Sequence, residues 1–239
     1  MSESSNLIFG RPDYIEGVGL VYPIRLKDYD RFQEVSSVLY YSKKHFGEEY
    51  DSFYLLDLIV LGLREDSIIH SLQDIFRIVC RNPDVTFYWV SDSEYGFKID
   101  ENHEINRSNY EIVRAVIMHQ NIMIEQRVYK SKLAQEWAEK ALKAKSKNGV
   151  KILFEDIVST VSVYTGKHYW DLENYTIYQL QTDYHRINKL KEYDTSIQIM
   201  CVSGKGNLGH FSEHVDLFKD PYDDVFIDKE QSKLGSVFG

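Results

Sequence analysis

The chain has 239 residues, 43% of them hydrophobic, with 37 acidic against 28 basic side chains and a formal charge of -9. That length buries a real core in one large domain or two small ones, and the acidic balance argues against binding a nucleic-acid backbone, which needs clustered Lys and Arg. The N-terminus lacks a basic stretch followed by an apolar one, and no apolar run approaches the roughly 20 residues of a membrane span, so a cytosolic protein is expected.

The first segment, Leu7 to Ile24, holds Gly10, Pro12, Gly17, Gly19 and Pro23 and reads as extended and turn-rich, with a short strand at Val18–Tyr22. A helix is expected from Asp28, with Tyr29, Phe32 and Leu39 on one face. Phe53 to Leu63 is a second, strongly apolar helix. In the third, Leu72, Ile75, Phe76 and Val79 repeat at i, i+3, i+4, i+7, and Asn82-Pro83 stops it. The period then changes. Val85, Phe87 and Trp89 alternate with their neighbours, as do Tyr95, Phe97 and Ile99, which predicts a hairpin over 85–99 with a four-residue loop at Ser91–Glu94. Ser108-Asn-Tyr-Glu111 has capping-box spacing and opens a helix through Ile112, Val113, Val116 and Ile117.

The second half reads as almost wholly helical. Lys132 to Lys147 places Leu133, Trp137, Ala141 and Ala144 inward, with its basic end complementing the helix dipole. Val150, Leu153, Phe154, Ile157, Val161 and Tyr164 form the stripe of the next helix, capped by Gly166. Ile177, Leu180, Tyr184, Ile187 and Leu190 mark another. Over Ile197–Val202 both helical and strand periods fit. The expected fold class is α+β and predominantly helical, with N-terminal helices packed on a small antiparallel β-sheet and a C-terminal helical bundle. Residues 1–128 form the α+β domain, 129–219 the helical domain and 220–239 an acidic, loosely ordered tail. Cys80 and Cys201 both lie in apolar runs and are expected as small buried hydrophobes.

Two patterns near the C-terminus carry chemistry on paper. Gly204, Gly206 and Gly209 stand at dinucleotide-fingerprint spacing, with Asp228 about 20 residues on, and would cradle a pyrophosphate if Ile197–Val202 were a strand. His210-Phe-Ser-Glu213-His214 would place His210 and His214 on one face of a helix as metal ligands. Too little chain follows either pattern to complete a parallel sheet or supply a third ligand. No Gly-x-Ser-x-Gly elbow or Walker loop occurs. Neither an enzyme nor a cofactor is therefore expected, and a small metal- or nucleotide-dependent enzyme using Gly204–His214 is the alternative.

The remaining signal is aromatic. Tyr164, His168, Tyr169, Trp170, Tyr175 and Tyr178 fall close together around the Gly166 turn, either as a core corner or as a protein-binding surface. Tyr222 and Phe226, framed by Asp220, Asp223, Asp224 and Asp228, suit a linear docking motif. The candidate protein-binding residues are thus Tyr169, Trp170, Tyr175, Tyr178, Tyr222 and Phe226.

Two stretches, Ile105–Asn121 after the hairpin and Tyr164–Leu180 with Tyr184-His-Arg186-Ile, resemble tail-morphogenesis proteins of bacteriophages infecting Gram-positive bacteria, in particular tail-assembly chaperone-like proteins. The resemblance covers roughly residues 20 to 225 in order of elements. It implies a non-enzymatic protein that binds a long helical partner, the tape measure, and organises tail polymerisation, in the host cytoplasm and with possible self-association. An intracellular inhibitor of one host protein is a further alternative.

Overall fold

The computed structural model describes residues 3–125, 136, 137, 140, 151–204 and 209–220. The expected helix over 132–147 and the domain boundary near 126–131 lie mostly or wholly outside these residues, as do Gly206, Tyr222 and Phe226. Trp137, expected inward, is exposed.

The architecture is α+β, with two small antiparallel sheets in the N-terminal half and helices in the C-terminal half. A short helix α1 (Glu3–Ile8) leads into β1 (Asp13–Ile15) and β2 (Gly19–Val21), which pair Asp13 with Val21 and Ile15 with Gly19. Then come α2 (Tyr29–Val35), 3-10 turns through His45, and a helix α3 that starts at Leu55–Asp57 and widens to π geometry over Leu58–Gly62. Leu55, Leu56, Leu58, Ile59 and Val60 are all buried there, as an apolar all-round helix requires.

Helix α4 (Asp66–Val79) is the spine of the core. Leu72, Ile75, Phe76 and Val79 are fully buried, so the expected stripe is the real one. Each such side chain contributes about 1.5–3 kcal/mol of burial. The stripe faces a three-stranded sheet of β3 (Thr86–Ser91), β4 (Glu94–Lys98) and β5 (Glu104–Asn106) in the order β3-β4-β5. Phe87 pairs with Phe97, and Phe97 with Ile105. Ser91 pairs directly with Glu94, so the hairpin loop is the two residues Asp92-Ser93 rather than four, and a bulge between Trp89 and Ser91 absorbs the register. At Gly96 a Cβ would stand 2.6 Å from the Ile105 carbonyl, so only glycine lets β4 and β5 approach this closely.

Helix α5 (Tyr110–Gln120) follows β5 and buries Tyr110, Val113 and Ile117. The expected capping box does not form. Asn109 is the N-cap, and its side chain is committed to β5 instead: Oδ1 accepts from Asn106 N at 2.9 Å and Nδ2 donates to the Glu104 carbonyl at 2.9 Å. At the other end, buried Asn121 accepts from Ile24 N at 3.1 Å and donates to the Ile117 carbonyl at 2.7 Å. Asn121→Ala is expected to destabilise the chain by about 1–3 kcal/mol in urea unfolding, because it orphans the buried Ile24 N–H.

Three tyrosines on this framework hold their protons tightly. Burial pushes the Tyr95 phenol up, and its bond to Asp57 Oδ1 (2.5 Å) adds to the effect. Burial, then donation to Glu104 Oε2 at 2.8 Å, pushes Tyr88 up to about 12. Burial alone leads the rise at Tyr110. In the unfolded chain such phenols ionise near 10. Their contribution is therefore complete below about pH 10 and disappears above it, with the share of Tyr88 gone once the pH passes about 12. Urea midpoints are expected to fall as the pH rises through this window, and less steeply in Tyr95→Phe.

The C-terminal half comprises α6 (Phe154–Thr165), α7 (Tyr169–Leu172) and α8 (Ile177–Ser203). Gly166 caps α6 in the left-handed conformation, as expected. The 195–203 stretch is helix, continuous with what precedes it. A second, smaller core gathers Val161, Leu172, Leu180 and Ile187, with Leu26, Phe154 and Tyr175 against it. Among the described residues, no helix is long and apolar enough to cross a membrane.

Candidate protein-binding surface

The start of α8 is the best-anchored part of the helical half. Thr176 and Gln179 form a reciprocal capping box, at 3.2 Å from Gln179 N to Thr176 Oγ1 and 2.9 Å from Thr176 N to Gln179 Oε1. The Gln179 amide also donates to the Ile8 carbonyl at 3.0 Å, which ties α1 to α8. Leu26 N and Lys27 N donate to the carbonyls of Tyr175 and Glu173 at 2.9 and 3.1 Å. The ring of Phe154 stacks on Tyr29 at 3.9 Å.

This anchoring divides the candidate aromatic residues into two groups. Tyr175 and Tyr178 are half-buried: Tyr175 packs on the smaller core and meets the Lys167 ammonium, and Tyr178 lies 6.3 Å from Phe218. Tyr169 and Trp170 face solvent, with Trp170 65% exposed and stacked on His168 at 4.3 Å. Of the four described candidates, α7 therefore presents two and the protein keeps two for its own packing.

Further apolar side chains are exposed along α6 and α8. Val163 is exposed at the end of α6, beside Tyr164, whose ring lies 5.2 Å from the Lys191 ammonium. Beyond Lys191 the helix carries Ile197, Ile199 and Val202 in the open, Val202 at 91%. Cys201, expected in a core, is exposed here. The other cysteine, Cys80, is half-buried, and burial pushes its thiol up to about 12, so it is no thiolate nucleophile.

The nucleotide and metal patterns lose their structural context. Because Ile197–Val202 is helical, Gly204 is simply the left-handed C-cap of α8, with φ 65°. The strand–loop–helix order that a dinucleotide fingerprint needs is missing. The His210–His214 segment is not helical, so His210 and His214 do not share a helical face. His210 instead bonds the Ser212 hydroxyl at 2.6 Å and stacks on Phe211. Among the described residues no three His, Cys, Asp or Glu side chains gather as a metal site would require.

The segment 209–220 has a different role: it straps the two halves together. Arg186 Nη1 donates to the carbonyls of Phe211 and Glu213 at 2.6 and 3.1 Å, Lys189 pairs with Glu213 at 3.3 Å, and Phe211 meets Tyr193 edge-on at 5.5 Å. Further on, Phe218 stacks on His119 of α5 at 4.7 Å.

Sequence reasoning did not find three surface clefts, because each joins residues far apart in the chain. An apolar groove of about 810 Å³ runs between β1 and α5, lined by Tyr14, Ile15, Ile112, Val116 and His119 among others. A polar cleft of about 780 Å³ lies along β4 and β5, with Glu16, Glu94, Asp100, Glu101 and Glu104. A basic cleft of about 440 Å³ is lined by Arg25, Lys27, Arg31, Arg77 and Arg81 with Asp28.

No solved structure matches the chain. Residues 143–216 match the family described as the YomV second domain. Over 227 residues the chain is 26% identical to the SPbeta prophage-derived uncharacterized protein YomV of Bacillus subtilis (strain 168), a match that covers 92% of each. This similarity along nearly the whole length supports a phage-derived protein.

Proposed function

We propose that the chain is a non-enzymatic protein-binding factor in phage morphogenesis, a tail-assembly chaperone that holds a helical tail protein before it assembles. The observation that carries this reading is the exposed aromatic and aliphatic surface of α7 and the far end of α8: Tyr169, Trp170, Ile199 and Val202. Exposed apolar side chains of this kind suit interaction sites, where Trp and Tyr dominate the binding energy. An amphipathic helix of the partner would lay its apolar stripe on this surface. Release during assembly requires a moderate interface rather than an obligate one. The prophage origin of the relative agrees with a role in making virions.

The test is co-expression of the tagged chain with the phage tail genes, and mass spectrometry of what it retains. Recovery of a long, helix-rich tail protein that is lost in the Trp170→Ala variant is the expected result. Recovery of one host protein in its place would replace the chaperone with an inhibitor. Recovery of nothing would end the protein-binding reading.

A further inference from the structure

In a chain of charge -9, the cleft between the Arg25–Arg31 segment and the end of α4 concentrates cations. Five basic side chains line it: Arg25, Lys27 and Arg31 from one wall, Arg77 and Arg81 from the other. Asp28 is the one acid among the lining residues. Behind them a single carboxylate serves two guanidinium groups, since Asp74 Oδ1 lies 3.0 Å from Arg31 and 3.3 Å from Arg77. The Arg77 Nε also donates to the Val85 carbonyl at 3.1 Å, which fixes that side chain in the wall.

The far wall is built at the C-terminal end of α4. Arg81, at φ 52°, is the left-handed residue past the C-cap of α4, where Asn82 N donates to the Arg77 carbonyl at 3.1 Å. Its guanidinium lies 4.0 Å over the ring of Tyr22, and Tyr22 N donates to the Val79 carbonyl at 2.8 Å. Burial, then the like charge of Arg25, holds the Arg81 guanidinium below its ordinary value.

We propose that this cleft is a docking site for an acidic peptide segment of the protein partner, its carboxylates received by Arg25, Lys27 and Arg81. The inference deepens the protein-binding reading and rests on it. Three features favour carboxylate side chains over other anions. The donors lining the cleft sit on long side chains along two walls rather than on a ring of backbone amides, the usual phosphate cradle. Ile78 and Pro83 add apolar contact within the same cleft, which suits a peptide backbone and its neighbouring side chains. Arginine forks match carboxylates in pairs, so the site selects for closely spaced Asp or Glu.

The test uses a fluorescein-labelled deca-glutamate peptide as probe, with anisotropy read against the full chain. Binding that weakens as salt rises is expected, with an affinity loss of about tenfold in the Arg25→Ala/Lys27→Ala double variant. Lys98→Ala, in the polar cleft, should bind as the unaltered chain does. Because neither Arg25 nor Lys27 is buried, the double variant should unfold at the unaltered urea midpoint, which excludes a folding artefact. Equal binding by the double variant would overturn the proposal, as would pyrophosphate or a single-stranded oligonucleotide displacing the peptide at lower concentration. If the peptide fails to bind while Trp170→Ala still abolishes partner capture, the cleft inference falls alone. If the chain captures no partner at all, the wider reading falls with it.

Discussion

Phe76→Ala is expected to destabilise the chain by about 3–5 kcal/mol, the range for truncating a buried aromatic ring. The ring is fully buried, meets Phe97 edge-on at 4.8 Å and Tyr110 at 6.4 Å, and so sits where α4, β4 and α5 converge. These elements cannot close on the void. β4 is pinned on both sides, by β3 and by β5, and α5 is fastened to β5 through Asn109. Urea unfolding measures the loss directly, and a fall in midpoint without a change in slope would show that the native state alone was weakened. Phe53→Ala is the comparison, because that ring is half exposed and should change stability by no more than about 0.5 kcal/mol. Equal effects from the two would mean that the α4–sheet contact is not the centre of the core.

Trp170→Ala is expected to act in the opposite way, with little loss of stability and a large loss of binding. The indole is 65% exposed and stacks on the His168 ring, so folding depends on it weakly. As an interface anchor it would carry about 2 kcal/mol or more, which is roughly a thirtyfold loss in affinity for the captured partner. Tyr175→Ala provides the contrast, since that ring packs on the smaller core and its truncation should lower stability before it touches binding. A Trp170→Ala chain that unfolds would show the ring to be structural. One that captures partner normally would move the binding surface elsewhere, with the apolar groove beside Ile112 the next place to look.

Much of the framework could be read from residue periodicity. The α4 stripe, the hairpin and the Gly166 cap each rest on a local rule that tertiary context did not override. Where reading failed, a specific competitor won. β5 is only Glu104–Asn106, too short to show a period, and it exists because Ile105 completes the pairing of Phe97. The Ser108–Glu111 box lost to Asn109, whose amide is worth more joining the helix to the strand than capping within it. Ile197–Val202 satisfied both periods, and continuity with a helix already begun at Ile177 decided between them. At the surface, Tyr169 and Tyr175 look alike in sequence. Only the packing of Leu26 and Val161 around the second sets them apart. The clefts were invisible because Arg25 and Arg81, or Tyr14 and Ile112, become neighbours only through the fold.

The way α8 is mounted has a mechanical consequence. Its first turns are tied to α1 and lie beside the ring of Phe218, its middle is held by the strap through Arg186, Lys189 and Tyr193, and beyond these it carries Ile197, Ile199 and Val202 exposed. With 27 residues it is a beam about 40 Å long, held from its start as far as Tyr193. A load applied near Val202 is therefore felt first where the strap meets Arg186, Lys189 and Tyr193, and through the strap at the Phe218–His119 stack against α5. A partner that tilts the far end slightly would pry at those contacts with the leverage of the turns beyond Tyr193. In such an arrangement, capture at the tip and loosening of the strap are one motion.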